Sequence, residues 1–242
     1  EVNDKSFGNY ECLVKVYDQN GREYLSSTIN VNNYVIREKN DLEKLRNMIE
    51  EGNKFEGLKV RLVNDIDLGG SIDNRNWIPI GDENLYFAGI LEGNNHKIIN
   101  LYNKETEKSN QGLFGYLENA TIQHLQMNSG NITGTDYIGS VVGKAKKVNI
   151  LNCTNNVDIV AKNGYVGGIV GFADKEGKIE GCINNSRVSS SEYVNDVKDT
   201  FAGGIVGASY TDIRECTNNG NITTVYSATG RIAGERFKEI LN

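Results

Sequence analysis

"GYVGGIVGFA" spans residues 164–173, and "FAGGIVGAS" follows at 201–209. Such phrases have two readings: a phosphate-cradling loop used twice, or one part of an architecture that repeats. A dinucleotide loop needs GxGxxG between a strand and a helix, with an acidic residue further on. The spacing here is GGxxG, and no helical pattern follows. The glycines are therefore read as backbone packing.

Working outward, five glycines end related phrases: Gly115 ("NQGLFG"), Gly143 ("DYIGSVVG"), Gly171, Gly207 and Gly234 ("ATGRIAG"). Their separations are 28, 28, 36 and 27 residues. "FAGILEG", ending at Gly93, is placed one copy earlier. The long interval is assigned to "SSSEYVNDVKDT" at 189–200. A second phrase recurs between the glycines and gives three columns. The first is Ile122, Ile150, Ile179 and Ile213; the second is Leu125, Cys153, Cys182 and Cys216. The third is Met127, Asn155, Asn184 and Asn218.

Short β-rich phrases at this period predict an all-β chain, a right-handed parallel β-helix with one coil per repeat. Equivalent residues then stack about 4.8 Å apart. Cysteine suits an inward column as a small hydrophobe. Asparagine is expected to pass side-chain amide hydrogen bonds to the next coil. Parity does not decide which face of "GGIVG" points inward.

Capping elements are expected at the ends. "NDLEKLRNMIEEGN" (40–53) predicts a helix, capped by Asn40 or Asp41, with Glu43 completing a capping box and Gly52 ending it. Leu42, Leu45 and Ile49 form the stripe that covers the first coil. "ERFKEILN" at 235–242 is either a second cap, through Phe237, Ile240 and Leu241, or a point where a longer protein was cut. The front of the chain reads as two alternating runs around "QNGR". It is either the tail of an immunoglobulin-like module, with Tyr10 two residues before Cys12, or a hairpin packed on the solenoid. The expected division is 1–34 for this part and 35–242 for helix plus solenoid.

The chain carries 26 basic and 32 acidic residues, a net charge of −6. That excludes nucleic acid and anionic membrane surfaces as partners. No apolar run is long enough for membrane insertion. Four cysteines and two histidines show no metal-ligand spacing, so no metal or other cofactor is expected.

The segment "WIPIGDENLYFAGILEGNNHKIINL" (77–101), with "GLFGY", "GSVVG" and the two "GGIVG" phrases, resembles the GLUG family of bacterial surface proteins. The resemblance covers about residues 77–234; Arg231 departs from it by replacing the second glycine of the pair. It implies a secreted or cell-surface bacterial location, as in adhesin-like proteins and repeat regions of immunoglobulin-A-cleaving metallopeptidases. Immunoglobulin-like modules often precede such repeats. The HExxH of a zinc peptidase is absent: His96 is followed by "KIIN" and His124 by "LQMN".

Three sets of residues are candidates for chemistry. Asp65, Asp67 and Asp73, with Arg75 and Trp77, form the richest acidic cluster, read either as a catalytic or calcium site or as a solvated strand face. Tyr137, Tyr165 and Phe201 share a column, with Phe87 assigned to the earlier position, as a corner ladder or a stacking platform. Tyr193, Asp196, Lys198 and Asp199 in the long interval are the candidate ligand-binding residues. The expected role is a non-catalytic, monomeric scaffold or adhesion module meeting a protein or glycan on a host surface. A carbohydrate-active enzyme and an accessory domain of a peptidase are the alternatives.

Overall fold

The computed structural model describes residues 7–190, 200–224 and 228–236. Five parallel sheets wrap one core, and the later coils visit all five in turn. The first face has seven strands: Val35–Ile36, Lys59–Leu62, Ile90–Glu92, Thr121–Gln123, Val148–Leu151, Gly177–Glu180 and Asp212–Arg214. The second runs in six strands from Ile66–Asp67 to Thr217–Asn218, and the third in five from Leu101–Tyr102 to Ile222–Thr223. The fourth has three strands, Tyr165–Gly167, Phe201–Gly203 and Ala228–Gly230. The fifth has five: Phe114–Glu118, Val142–Lys146, Val170–Ala173, Val206–Ser209 and Ala233–Arg236. This is a parallel β-solenoid of about seven turns.

Alternation sets the inside and outside of the short strands. Lys59–Leu62 reads exposed, buried, exposed, buried. The isoleucine column holds in register, Ile122 with Ile150, Ile179 and Ile213. Met127, Asn155, Asn184 and Asn218 also share one column. The glycine frame holds from Gly115 to Gly234, since the strands around each are paired in register.

The "GGIVG" question resolves through a bend. Ile169 and Val170 are both fully buried because the chain turns between the fourth and fifth faces at Gly168 and Ile169. Gly171 then lies directly on the fourth-face backbone one coil back. A Cβ there would sit 2.5 Å from the Ile138 nitrogen. Gly207 meets Val166 and Gly234 meets Ala202 in the same way. Two sheets thus touch backbone to backbone, at a separation that only glycine permits.

Several expectations are corrected. Ile80 bridges to Phe114, so Gly81 precedes Gly115 in its column. Gly93 instead follows Ile90–Glu92 at the corner between the first two faces, under the His124 backbone. Phe87 bridges to Leu117 and is fully buried, so it does not belong to the Tyr137 column. The helix runs Lys39–Glu50 with Glu38 in the N-cap position and no side-chain cap. The box of Asn40 and Glu43 therefore does not form. Asp41 turns inward and accepts a hydrogen bond from the Arg37 N–H at 2.9 Å. Leu42, Leu45 and Ile49 are buried as the stripe requires, and Gly52 follows the helix with φ 97°.

Strands Gly8–Tyr17 and Glu23–Asn33 pair antiparallel as a separate two-stranded sheet. Phe7 at its base packs on Tyr34 and Phe55, ring centroids 5.5 and 6.3 Å apart. Residues 237–242, with the second cap, lie outside the described residues.

Candidate functional site

The repeated columns are occupied with one another. Asn155 Nδ2 donates to Asn184 Oδ1 at 2.7 Å, and Asn184 Nδ2 donates to Asn218 Oδ1 at 2.8 Å. Each amide also donates to the carbonyl two residues on, and each side-chain oxygen accepts from the N–H there. The ladder needs room behind it. Gly168 and Gly204 provide it, since a Cβ at Gly168 would lie 2.5 Å from Asn184 Cγ. Outside runs a second asparagine column that the sequence reading missed, Asn156, Asn185 and Asn219, linked at 3.0 and 2.9 Å. Its signal was the "NN" pair repeated in all three phrases.

Cys153, Cys182 and Cys216 stack as free thiols on one inner corner. Each donates to the carbonyl two residues back. The thiol of Cys182 is pushed well above its ordinary value by the adjacent Cys153 thiol and by burial; Cys216 is raised by Cys182 and by burial. Such thiols are poor nucleophiles.

The corner between the third and fourth faces differs in kind. Tyr137, Tyr165 and Phe201 are half-buried and stacked, with centroids 5.2 and 5.4 Å apart and rings within 18° of parallel. Phe172 abuts Tyr137 and Tyr165 at 5.9 and 5.1 Å, and Tyr210, 38% exposed, abuts Phe172 at 6.1 Å. Because the rings cover one another's faces, the ladder presents mainly edges outward. Lys144 stands 5.4 Å from the Tyr137 ring and pairs with Glu83 at 2.7 Å.

Asp136 braces this corner and was missed from sequence. One carboxylate oxygen accepts the N–H groups of both Tyr137 and Tyr165 at 2.8 Å. Burial raises its pKa despite those bonds and nearby Lys144. Gly164, with φ 72°, leaves space for that carboxylate.

The long interval opens at the same corner. Ala161 pairs with Ser190 and Tyr165 with Phe201, so four residue numbers separate the first pair's end from the next and eleven the second's. Ser189 and Ser190 belong to the strand Val188–Ser190, so the extra chain starts after them. Tyr193, Asp196, Lys198 and Asp199 lie outside the described residues.

The acidic cluster is distributed over corner hydrogen bonds. Asp65 Oδ1 accepts the Lys97 N–H at 2.9 Å and faces His96 Nδ1 at 3.3 Å. The Lys97 bond, then His96, lowers its pKa. Asp67 Oδ1 accepts the Gly69 N–H and Asn100 Nδ2 at 2.7 and 2.9 Å. Asp73 is exposed. Arg75 bonds Asn131, and Trp77 is fully buried. On the next coil Glu92 faces His124 at 3.0 Å; burial raises its carboxyl, but bonds from Gln123, the Asn94 N–H and His124 outweigh that and lower it. Among the described residues no three His, Cys, Asp or Glu side chains group as a metal site would require. A groove of about 320 Å³ lies among Ile78, Pro79, Asp82, Leu85, Glu105 and Asn110.

No helix among the described residues is long and apolar enough to cross a membrane. No family model matches the chain. A provisionally named Gly-rich membrane protein of Evansella cellulosilytica is 34% identical over 105 residues, 42% of this chain and 12% of that protein. Halomucin of Haloquadratum walsbyi is 32% identical over 135 residues, 55% of this chain and 1% of that protein. The chain thus spans a small part of these relatives' length. A solved structure of a provisionally assigned immunoglobulin A1 protease from Bacteroides ovatus aligns with TM-score 0.48 and 20% identity, over 84% of this chain and 71% of that one.

Proposed function

We propose that this chain is a non-catalytic scaffold segment of an exported or surface protein, of the GLUG kind, that presents one corner of its solenoid to a protein or glycan. The observation that carries this reading is that the long interval leaves the solenoid beside the aromatic ladder, at one corner. Elsewhere the repeated residues are consumed by inter-coil bonds. Between the third and fourth faces, the aromatic ladder and the departure of the long interval at Ser190 stand side by side. Loops on a rigid repeat scaffold are where recognition concentrates. The names of the two relatives, a Gly-rich membrane protein and halomucin, are consistent with a surface setting.

The carbohydrate-cleaving alternative has less support, because Asp65 and Asp67 are committed to corner hydrogen bonds. The test is binding to arrayed glycans and mucin-type glycoproteins, with and without residues 191–199 replaced by a short link. Binding lost on shortening supports the corner as the contact. Unchanged binding moves the contact elsewhere, and release of sugar products overturns the non-catalytic reading.

A further inference from the structure

Three asparagines in the chain precede glycine: Asn20–Gly21, Asn163–Gly164 and Asn219–Gly220. In such a pair the glycine nitrogen can attack the asparagine side chain, because no Cβ blocks its approach. Two of the pairs are held. The Gly21 N–H donates to the Asp18 carbonyl at 3.0 Å. The Gly220 N–H donates to Asn218 Oδ1 at 3.2 Å, and Asn219 Nδ2 donates to Asn185 Oδ1 at 2.9 Å. Asn163–Gly164 differs. Among the described residues, neither the Gly164 N–H nor the Asn163 side chain makes a hydrogen bond. Asn163 is half-buried, and residues 162–164 form a bend rather than a hydrogen-bonded turn. Asn94, Asn100 and Asn152, by contrast, each bond an earlier coil through the side-chain amide.

We propose that Asn163 is a site of spontaneous covalent modification, where the solenoid corner converts its own asparagine to aspartyl and isoaspartyl forms. The Gly164 nitrogen attacks Asn163 Cγ, the new N–Cγ bond closes a five-membered imide, and the Cγ–Nδ2 bond breaks. The leaving nitrogen takes the Gly164 N–H proton and departs as ammonia. Water then opens the ring at either carbonyl. One product is an aspartyl residue. In the other, isoaspartyl, the main chain runs through the former side chain and gains one carbon. Both add a negative charge to a chain of net −6. The isoaspartyl form also strains its surroundings. The Asn163 N–H is anchored to the Thr135 carbonyl at 3.0 Å, and the Tyr165 N–H to Asp136 Oδ1 at 2.8 Å. An extra main-chain carbon between those anchors disturbs the bond that braces Tyr165, the middle ring of the aromatic ladder. The chemistry stands whether or not that corner meets a partner.

The test is a time course of the full 242-residue chain at mildly alkaline pH, with peptide mapping by mass spectrometry. The expected result is the amide-to-acid mass gain, appearing at position 163 before the other two pairs. Two hydrogen bonds must break before Asn219 reacts, so position 163 converts faster by about tenfold or more. The two products separate by chromatography, and Asn163→Asp supplies the aspartyl standard. Asn163→Gln, whose longer side chain closes a ring far more slowly, keeps its peptide unmodified. Melts by circular dichroism show that each variant is folded. Wild-type protein aged in this way is expected to melt below Asn163→Asp aged alike, which carries the charge without the extra carbon. An Asn163 that stays intact, or converts no faster than Asn20 or Asn219, overturns the proposal. Equal melting of the two aged proteins overturns the strain on Tyr165.

Discussion

The coils before Thr121 and those after it use aromatic residues in opposite ways. In the early part Phe55, Trp77, Phe87 and Phe114 are buried at 0–1% exposure, and Phe55, Phe87 and Phe114 pack ring to ring through the interior. In the later part the interior holds isoleucine, valine, alanine, cysteine and asparagine, while Tyr137, Tyr165, Phe172 and Phe201 stand outside. The difference follows from volume. Where glycines let one sheet lie on another, the cross-section has no room for rings, and they are displaced to the surface. Where the helix and the 69–86 loop meet the first coils, rings fill the wider space.

The largest expected effect breaks the close-packed half. Gly171→Val places side-chain carbons against the Ile138 backbone, which backbone cannot yield, and is expected to cost at least about 4 kcal/mol. Urea unfolding followed by circular dichroism measures it; a variant with unchanged midpoint would falsify the backbone-contact account. The next contrast is direct. Phe87→Ala, in the aromatic core, is expected to cost about 3–5 kcal/mol, against about 1 kcal/mol for Tyr165→Ala in the outer ladder. Equal losses in the two melts would erase the distinction between the halves.

Asn184→Ala probes the inner ladder and is expected to cost about 2–3 kcal/mol. It leaves one of the two N–H groups of Asn155 Nδ2 unmet and removes the bonds to the Ser186 N–H and carbonyl. Asn185→Ala, one residue away in the exposed column, is expected to cost under about 0.5 kcal/mol. Similar urea midpoints for the pair would show that burial does not separate the two columns.

The smallest effects are in pH dependence, and they differ in sign. Glu92 has a lowered pKa, so its contribution is present above the unfolded value and lost as pH falls through the folded one. Glu92→Gln should flatten the acid limb of a melting-temperature profile below about pH 4.5. Asp136 has a raised pKa, so it costs stability as pH rises from the unfolded value through the folded one. Asp136→Asn should gain stability at neutral pH relative to wild type and lose that gain in acid. A gain that persists unchanged in acid would rule out the carboxyl's burial as its cause.

The later coils were legible because chemistry and spacing repeat together. Ile150, Cys153 and Asn155 recur with the same offsets as Ile179, Cys182 and Asn184, and their stacking follows. The early coils were not, because their positions are filled by other residue types. "FAGILEG" looks like the glycine phrase, yet the register is set by Ile80 and Phe114, and Gly93 turns a different corner. The helix start was misplaced because Asp41 serves a backbone N–H before the helix rather than inside it. Asp136 was missed because its partners lie on two coils, one of them 29 residues away, and local reading sees only Tyr137.

The inner asparagine ladder has a direction. Every amide points its N–H toward the later coil. A ladder cut on its amino-terminal side therefore ends in an oxygen that still receives the N–H two residues on, and one cut on its carboxy-terminal side ends in an amide N–H that had pointed at the lost coil. The column is polar: its two cut ends are a hydrogen-bond acceptor and a hydrogen-bond donor, chemically complementary to each other rather than alike.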